Sequence, residues 1–331
     1  MPYPWEGKHM WIWLLNECEG GNINAIINKA LDLGLTGLIV KAWDGSKYWS
    51  QLDYIAGPAK EAGLTVGAWG YSYGNNVSGE VAAMERAVEA GADWLVIDAE
   101  GEYESQAGRA NAIALFKAIL ASPVSSKYIG YSSFAFPDYH SAFPYDVFSN
   151  FCNVALPQVY WGDFGMAADK ALYRCLAKYQ AFNLPVVPVG QAYGDISPEE
   201  ITTFGNLAAS MGVPGVSFWS WQHATDGMFA AIKNLPFGRR QEKNGVSDWA
   251  KSSWDKAVAK GVLDGSDPQG AVSREILAVA LDKAGLLEPE VEAPEALRLL
   301  AQKAGFTAEH NGKEMVDLNL LAEILRRLGV I

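Results

Sequence analysis

The ten residues LVIDAEGEYE, Leu95 to Glu104, place four acids, Asp98, Glu100, Glu102 and Glu104, within seven positions directly behind an apolar run. Burying a carboxylate costs free energy, so such a cluster is either solvated or put to use. If the apolar run is a strand, its side chains alternate between faces, and Asp98 and Glu100 share one. Two carboxylates this close repel each other when ionised, so one pKa should rise. The protonated member can act as a general acid, and the ionised one can stabilise positive charge. That division of labour is the one glycoside hydrolysis needs. The candidate catalytic residues are therefore Glu100, as the acid, and Asp98, as the anion. The bland alternative is a structural ion pair or an acidic rim. Gly101 should end the strand before Glu102. Glu104 suits the first turn of a following helix, where the dipole favours an anion.

A scaffold must hold this strand. Eight β-type runs fill the first 235 residues: HMWIWLL, TGLIVKAW, LTVGAWGY, DWLVIDAE, KYIGYSS, NVALPQVYW, LPVVPVGQAY and PGVSFWSW. Helical patterns such as NINAIINKALDLG and ISPEEITTFGNLAASMG separate them. Several helices stop at a glycine, namely Gly34, Gly63, Gly91 and Gly212. Near-continuous apolar strands alternating with helices indicate a parallel sheet buried on both faces. Eight such units predict an α/β fold of the (β/α)8 TIM-barrel type over residues 1–235. A doubly wound sheet is the alternative, but no Gly-rich phosphate turn follows the first run.

In such a barrel, the C-terminal strand ends carry the site. Here they hold many aromatics, which suit the C–H faces of sugars, and interleaved polar groups suited to hydroxyl or N-acetyl groups. The substrate-binding candidates are Asn16, Lys41, Asp44, Trp69, Tyr71, Tyr131, Gln158, Tyr160, Trp219 and Trp221. Large aromatics can equally fill the barrel core. Lys41 has an alternative as an ion-pair partner across the mouth, and a lesser one as a Schiff-base lysine. Gly70–Gly74, GYSYG, formally matches a nucleophile elbow, but a loop rather than a helix follows it.

Composition narrows the partners. The 331-residue chain is half hydrophobic and carries a net charge of −12. That charge argues against nucleic acid and against an anionic membrane surface. Its three cysteines, Cys18, Cys152 and Cys175, and four scattered histidines have no metal-ligand spacing, so no metal and no cofactor is expected. The start, MPYPWEGKHMWIW, has no signal-peptide pattern, and no apolar run is long enough for a transmembrane helix. A protein made in the cytoplasm is the expectation.

Residues 236–246, rich in charge with Pro and Gly, look like a linker to a small all-α domain at 247–331. That domain repeats itself. An offset of 44 pairs Ala257 with Ala301, Gly261 with Gly305, Val272 with Val316, and Gly285 with Gly329. Repeats usually share one stacked core.

The DAE ending the fourth strand resembles the Asp-x-Glu signature of barrel glycosidases, and FWSWQHA is similar to the Trp-Gln of the family 25 muramidases. LPQVYW, with Tyr160, also resembles the chitinase-like family 18. The chain departs from both. Family 25 opens with an acid on strand one, where this chain has MWIWLLNECE, and family 18 would have an aspartate at Val96. The tail from VSDWAKSSWDKAVAKGVLDG onward resembles an S-layer homology repeat, a module that holds proteins to bacterial wall polymers. That resemblance implies wall binding through Trp249 and Arg274, although Leu318 replaces the arginine in the second unit. Dimerisation through the tail is the alternative. Together these resemblances imply a muramidase-like lysin of phage endolysin type, with peptidoglycan or another cell-wall polysaccharide as its partner. Its rival is a barrel that binds glycan without cleaving it.

Overall fold

The structure, a computed structural model, describes residues 3–237, 251–260, 262, 271–272 and 316–317. The chain divides into two compact units, Met1–Arg239 and Arg240–Ile331. In the first, all eight apolar runs form strands. They are β1 (Gly7–Ile12), β2 (Gly37–Asp44), β4 (Thr65–Ser72), β5 (Trp94–Ala99), β6 (Tyr128–Phe134), β7 (Val154–Val159), β8 (Val189–Gln191) and β9 (Gly215–Trp219), with a two-residue strand β3 (Lys47–Tyr48) antiparallel to β2. Parallel pairing runs in the order β1-β9-β8-β7-β6-β5-β4-β2 and closes through β1 against β2. This is the expected (β/α)8 barrel. Strand β8 is short because Pro185 and Pro188 lack the N–H groups that a longer ladder requires.

Helices α1 (Ile23–Asp32), α2 (Gln51–Glu61), α3 (Val77–Glu89), α4 (Gly108–Leu120), α5 (Tyr145–Phe151), α6 (Ala168–Tyr179), α7 (Pro198–Ser210) and α8 (Asp226–Lys233) lie between successive barrel strands or follow the last one. Local chemistry sets their ends. Asn22 caps α1 by accepting from the Ala25 N–H, and Ser197 with Glu200 closes a full capping box on α7. The four stop glycines all adopt positive φ.

Two apolar compartments result. The larger lies between strands and helices. The smaller fills the barrel interior with Trp5, Trp11, Ile39, Trp69, Trp94, Val96 and neighbours. The interior is tight enough that a Cβ on Gly67 would meet the Trp94 ring at 2.9 Å. At the N-terminal end, His9 is wholly buried and contacts Pro4 O at 2.9 Å through Nε2, and burial pushes its pKa down to about 4. A neutral histidine edge-on to Trp94, which in turn meets Trp5 edge-on, makes a floor, which leaves the opposite end as the barrel's usable mouth.

In the second unit, α9 (Lys251–Ala259) buries Trp254 and Ala257. A ladder of two residues per strand joins β10 (Ala271–Val272) to antiparallel β11 (Val316–Asp317), with Val272 opposite Val316. These are the valines that the offset of 44 makes equivalent. The helical pattern did not foresee this pairing, because two residues are too few to show alternation. Trp249, Arg274 and the expected linker from residue 238 onward lie outside the described residues.

Candidate active site

The inner face of β5 carries Trp94 and Val96 in the barrel core, then Asp98 at the mouth, with Glu100 just beyond the strand. Asp98 stands in register between Tyr71 of β4 and Ser132 of β6. The Gln158 amide, on β7, ties the acids together. Its Nε2 lies 3.0 Å from Asp98 Oδ1, 2.9 Å from Glu100 Oε1 and 3.3 Å from Ser132 Oγ. Asp98 and Glu100 therefore converge on one donor, as their two-residue spacing requires.

The two carboxyls differ in setting. Asp98 is only 8% exposed, whereas Glu100 is half-buried at the opening. Burial, reinforced by Glu100, raises the Asp98 pKa well above the carboxylate range, against the opposing pulls of Lys41 and Gln158. The raised pKa thus falls on the residue expected to be the anion. Depth decides it: desolvation acts on the member further inside, and the sequence does not show depth.

Lys41 projects into the same mouth from β2. Its Nζ lies 3.0 Å from Asp44 Oδ2 and 4.2 Å from the centre of the Trp69 ring. Strict alternation would put Lys41 and Asp44, three apart, on opposite faces. A register shift between Lys41 and Trp43 resolves this. Trp43 packs in the helix-side core, so the strand changes phase and Asp44 returns to the mouth. Lys41 is thus ion-paired within the mouth, with a partner on its own strand rather than across the opening.

Aromatic groups line the rest. Trp69 meets Trp219 at 5.2 Å, and Trp13, 39% exposed, stacks on Trp219 at 6.4 Å. Tyr160 lies 5.6 Å from Tyr193, and burial next to Asp98 pushes its pKa up. At the rim, tyrosine hydroxyls donate to carboxylates: Tyr71 to Glu102 at 2.6 Å, Tyr73 to Asp44 at 2.9 Å, and Tyr193 to Asp163.

Three expected site residues lie elsewhere. Tyr131 is fully buried on the outer face of β6, where its hydroxyl is 3.0 Å from Ser149 Oγ and its ring packs on Phe148. Trp221, 2% exposed, sits on a 3-10 turn (Trp221–His223), packs on Phe229 and donates to Glu19 at 3.3 Å. Neither offers a surface to a sugar. Asn16 is exposed on another 3-10 turn (Leu15–Glu17) and lines a shallow pocket with Ser50, Gln51 and Tyr54, with no hydrogen bond to the acid pair. Glu104 precedes α4 instead of opening it, and pairs with His140 Nδ1 at 3.2 Å. The elbow-like Ser72 faces outward to Glu80 and Tyr103, while His223 bonds to Ser220, so no serine–histidine pair forms there. Ser132, beside Gln158, and Trp49, beside Lys41, also belong to this region and were not foreseen. Of these, Ser132 was findable, since it pairs in register with Asp98. Among the described residues, no group of acids, histidines and cysteines could hold a metal ion.

No family model matches the chain, and no curated protein matches it. Solved structures do share its fold. A chitinase from Bacteroides thetaiotaomicron superposes with a TM-score of 0.55 at 10% identity, covering 74% of this chain and 99% of that one. A glycoside hydrolase family 18 chitinase from Flavobacterium johnsoniae gives 0.52 at 9% identity, over 69% and 93% of the two chains. The spore cortex-lytic enzyme SleL from Bacillus megaterium gives 0.52 at 10% identity, over 71% and 75%. At such identities the likeness is one of fold: this chain shares the barrel of those enzymes.

Proposed function

We propose that this protein is a glycoside hydrolase acting on a cell-wall glycan, with Glu100 and Asp98 as its catalytic pair. The observation that carries the proposal is the convergence of both carboxyls on the Gln158 amide, inside a mouth walled by Trp69, Trp219, Tyr71 and Tyr160. Glu100, at the opening, is placed to reach a leaving-group oxygen. Asp98, behind it and disposed by burial to hold a proton, passes that proton to Glu100 as Glu100 protonates the leaving group, and the Asp98 carboxylate so formed supplies negative charge to the cation-like sugar.

Both acids come from one strand and so address the substrate from one side. Enzymes that use two carboxylates directly on the sugar place them on opposite faces. Here the attacking group then comes from elsewhere, either water or the substrate's own 2-acetamido oxygen. The second option suits the N-acetylated sugars of peptidoglycan and chitin, and it agrees with the chitinase-type and cortex-lytic barrels that share the fold. A lysin-type enzyme on peptidoglycan, held to the wall by the tail through Trp249 and Arg274, joins the barrel and tail readings. A muramidase specificity and a cytoplasmic site of synthesis belong to this proposal.

Glycan binding without cleavage has one observation in its favour: Val96, directly below Asp98 on the inner face, lies in the apolar core where family 18 has an aspartate. Digestion of purified peptidoglycan and of N-acetylated chitin oligomers separates the readings. New reducing ends support the hydrolase. Binding to either glycan with no new ends would leave only the lectin-like barrel.

A further inference from the structure

Behind β4 and β5, on the face turned away from the mouth, lies a buried polar chain that the proposed chemistry does not use. Glu80 of α3 is completely buried. Its Oε1 accepts from the backbone N–H groups of Tyr73 (3.2 Å) and Gly74 (2.9 Å), and its Oε2 accepts from Ser72 Oγ. Ser72 Oγ lies 2.6 Å from the Tyr103 hydroxyl. Burial raises the pKa of Glu80 despite these three donors. A carboxyl held at this cost needs a structural or functional reason.

Its position supplies one. Ser72 and Gly74 belong to the segment that ends β4, and Tyr103 belongs to the 3-10 turn Gly101–Glu104 that begins at the residue after Glu100. The Tyr103 ring is clamped as well: Phe148 meets it edge-on at 5.1 Å, and a Cβ on Gly74 would come within 3.0 Å of it. On the opposite face of the same two segments, Tyr71 donates to Glu102. The loops are thus joined twice, through Ser72–Tyr103 outside and Tyr71–Glu102 inside. Glu100 lies between, at φ −133° and ψ −137°, outside the regular strand region. Its direction is therefore set by where the turn is pinned, and the turn is pinned to Glu80.

We infer that Glu80, acting through Ser72 and Tyr103, is a positioning residue that holds Glu100 against Asp98 and Gln158. The inference rests on the hydrolase reading only for its kinetic consequence, because the geometry of the acid pair can be measured without turnover. The groups facing that pair are Lys41, Gln158, Glu102, Tyr71 and Tyr160. None is altered by the substitutions used here.

The test is carbon-13 carboxyl NMR of the full chain, titrated with pH, for the wild type and for Tyr103→Phe, Ser72→Ala and Glu80→Gln. Tyr103→Phe keeps the ring and removes only the hydroxyl link. If it fails to fold, either of the other two cuts the same chain. The expected result is that the titration of the Asp98–Glu100 pair moves by about half a pH unit or more, since Coulomb coupling depends on separation, while the surface acids Asp138 and Asp146 stay in place. If the wild type cleaves glycan, kcat should also fall by roughly tenfold to a hundredfold with little change in KM, the usual cost of small misplacement. An inactive wild type with a shifted pair titration would overturn the hydrolase reading and leave the positioning role standing. An unchanged pair titration in a folded variant would overturn the positioning role, whatever the activity.

Discussion

Two side-chain predictions separate the members of the pair. Glu100→Gln is nearly isosteric and should keep the fold while lowering the rate of glycan cleavage by roughly 10² to 10⁴, the usual worth of a general acid. Circular dichroism and product release on one preparation check both halves. Asp98→Asn should also lose rate, and it should change stability in a pH-dependent way. The folded-state pKa of Asp98 is raised, so the native state holds its proton more tightly than the unfolded chain does. Stability must therefore fall as pH rises from the ordinary carboxylate range through the raised value. The asparagine removes this loss. Thermal unfolding should show the variant gaining on the wild type as pH rises from 4 to 8. A constant difference across that range would show that Asp98 is not held protonated. The acid pair was legible in the sequence because strand alternation requires it. Tyr131 was misassigned because both faces of a parallel barrel strand are buried, so an apolar run such as KYIGYSS does not show which residues turn inward.

Among the elements, the β-bulge in β2 mattered most and was the least readable. Nothing in GLIVKAWD signals that the strand changes phase after Lys41, yet the change brings Asp44 to the mouth. The capping box of α7 shows the opposite case, since Ser197 followed by Glu200 is a local signature with a local cause. Ser197→Ala should lower stability by about 1 kcal/mol, with kcat unchanged, because the helix end serves only the scaffold. Denaturant melts and kinetics on one sample test this. A matching loss of kcat would mean that α7 positions the site as well. Gln158→Leu should behave differently. It leaves the strand but removes the donor common to Asp98, Glu100 and Ser132, so cleavage should fall by roughly tenfold or more. Unimpaired turnover would show that the shared amide is incidental.

The barrel was legible as a whole because eight strand–helix units repeat one pattern, and closure is the arrangement that leaves no parallel edge exposed. The tail was legible only as a repeat, since equivalence between its halves says nothing of what the module touches. If it anchors the protein, removing residues 240–331 should reduce sedimentation with purified sacculi and spare the cleavage of small soluble glycans, because a tether raises local concentration without altering the chemistry. Equal sedimentation of both forms would remove the anchoring role. The role of the acid pair is tested by reducing-end release from purified peptidoglycan and N-acetylated chitin oligomers by the wild type and by Glu100→Gln, side by side. The wild type should release new reducing ends from at least one glycan, and the variant should lose roughly 10² or more of that rate. Equal release by both proteins, or binding of glycan with no release by the wild type, would contradict that role.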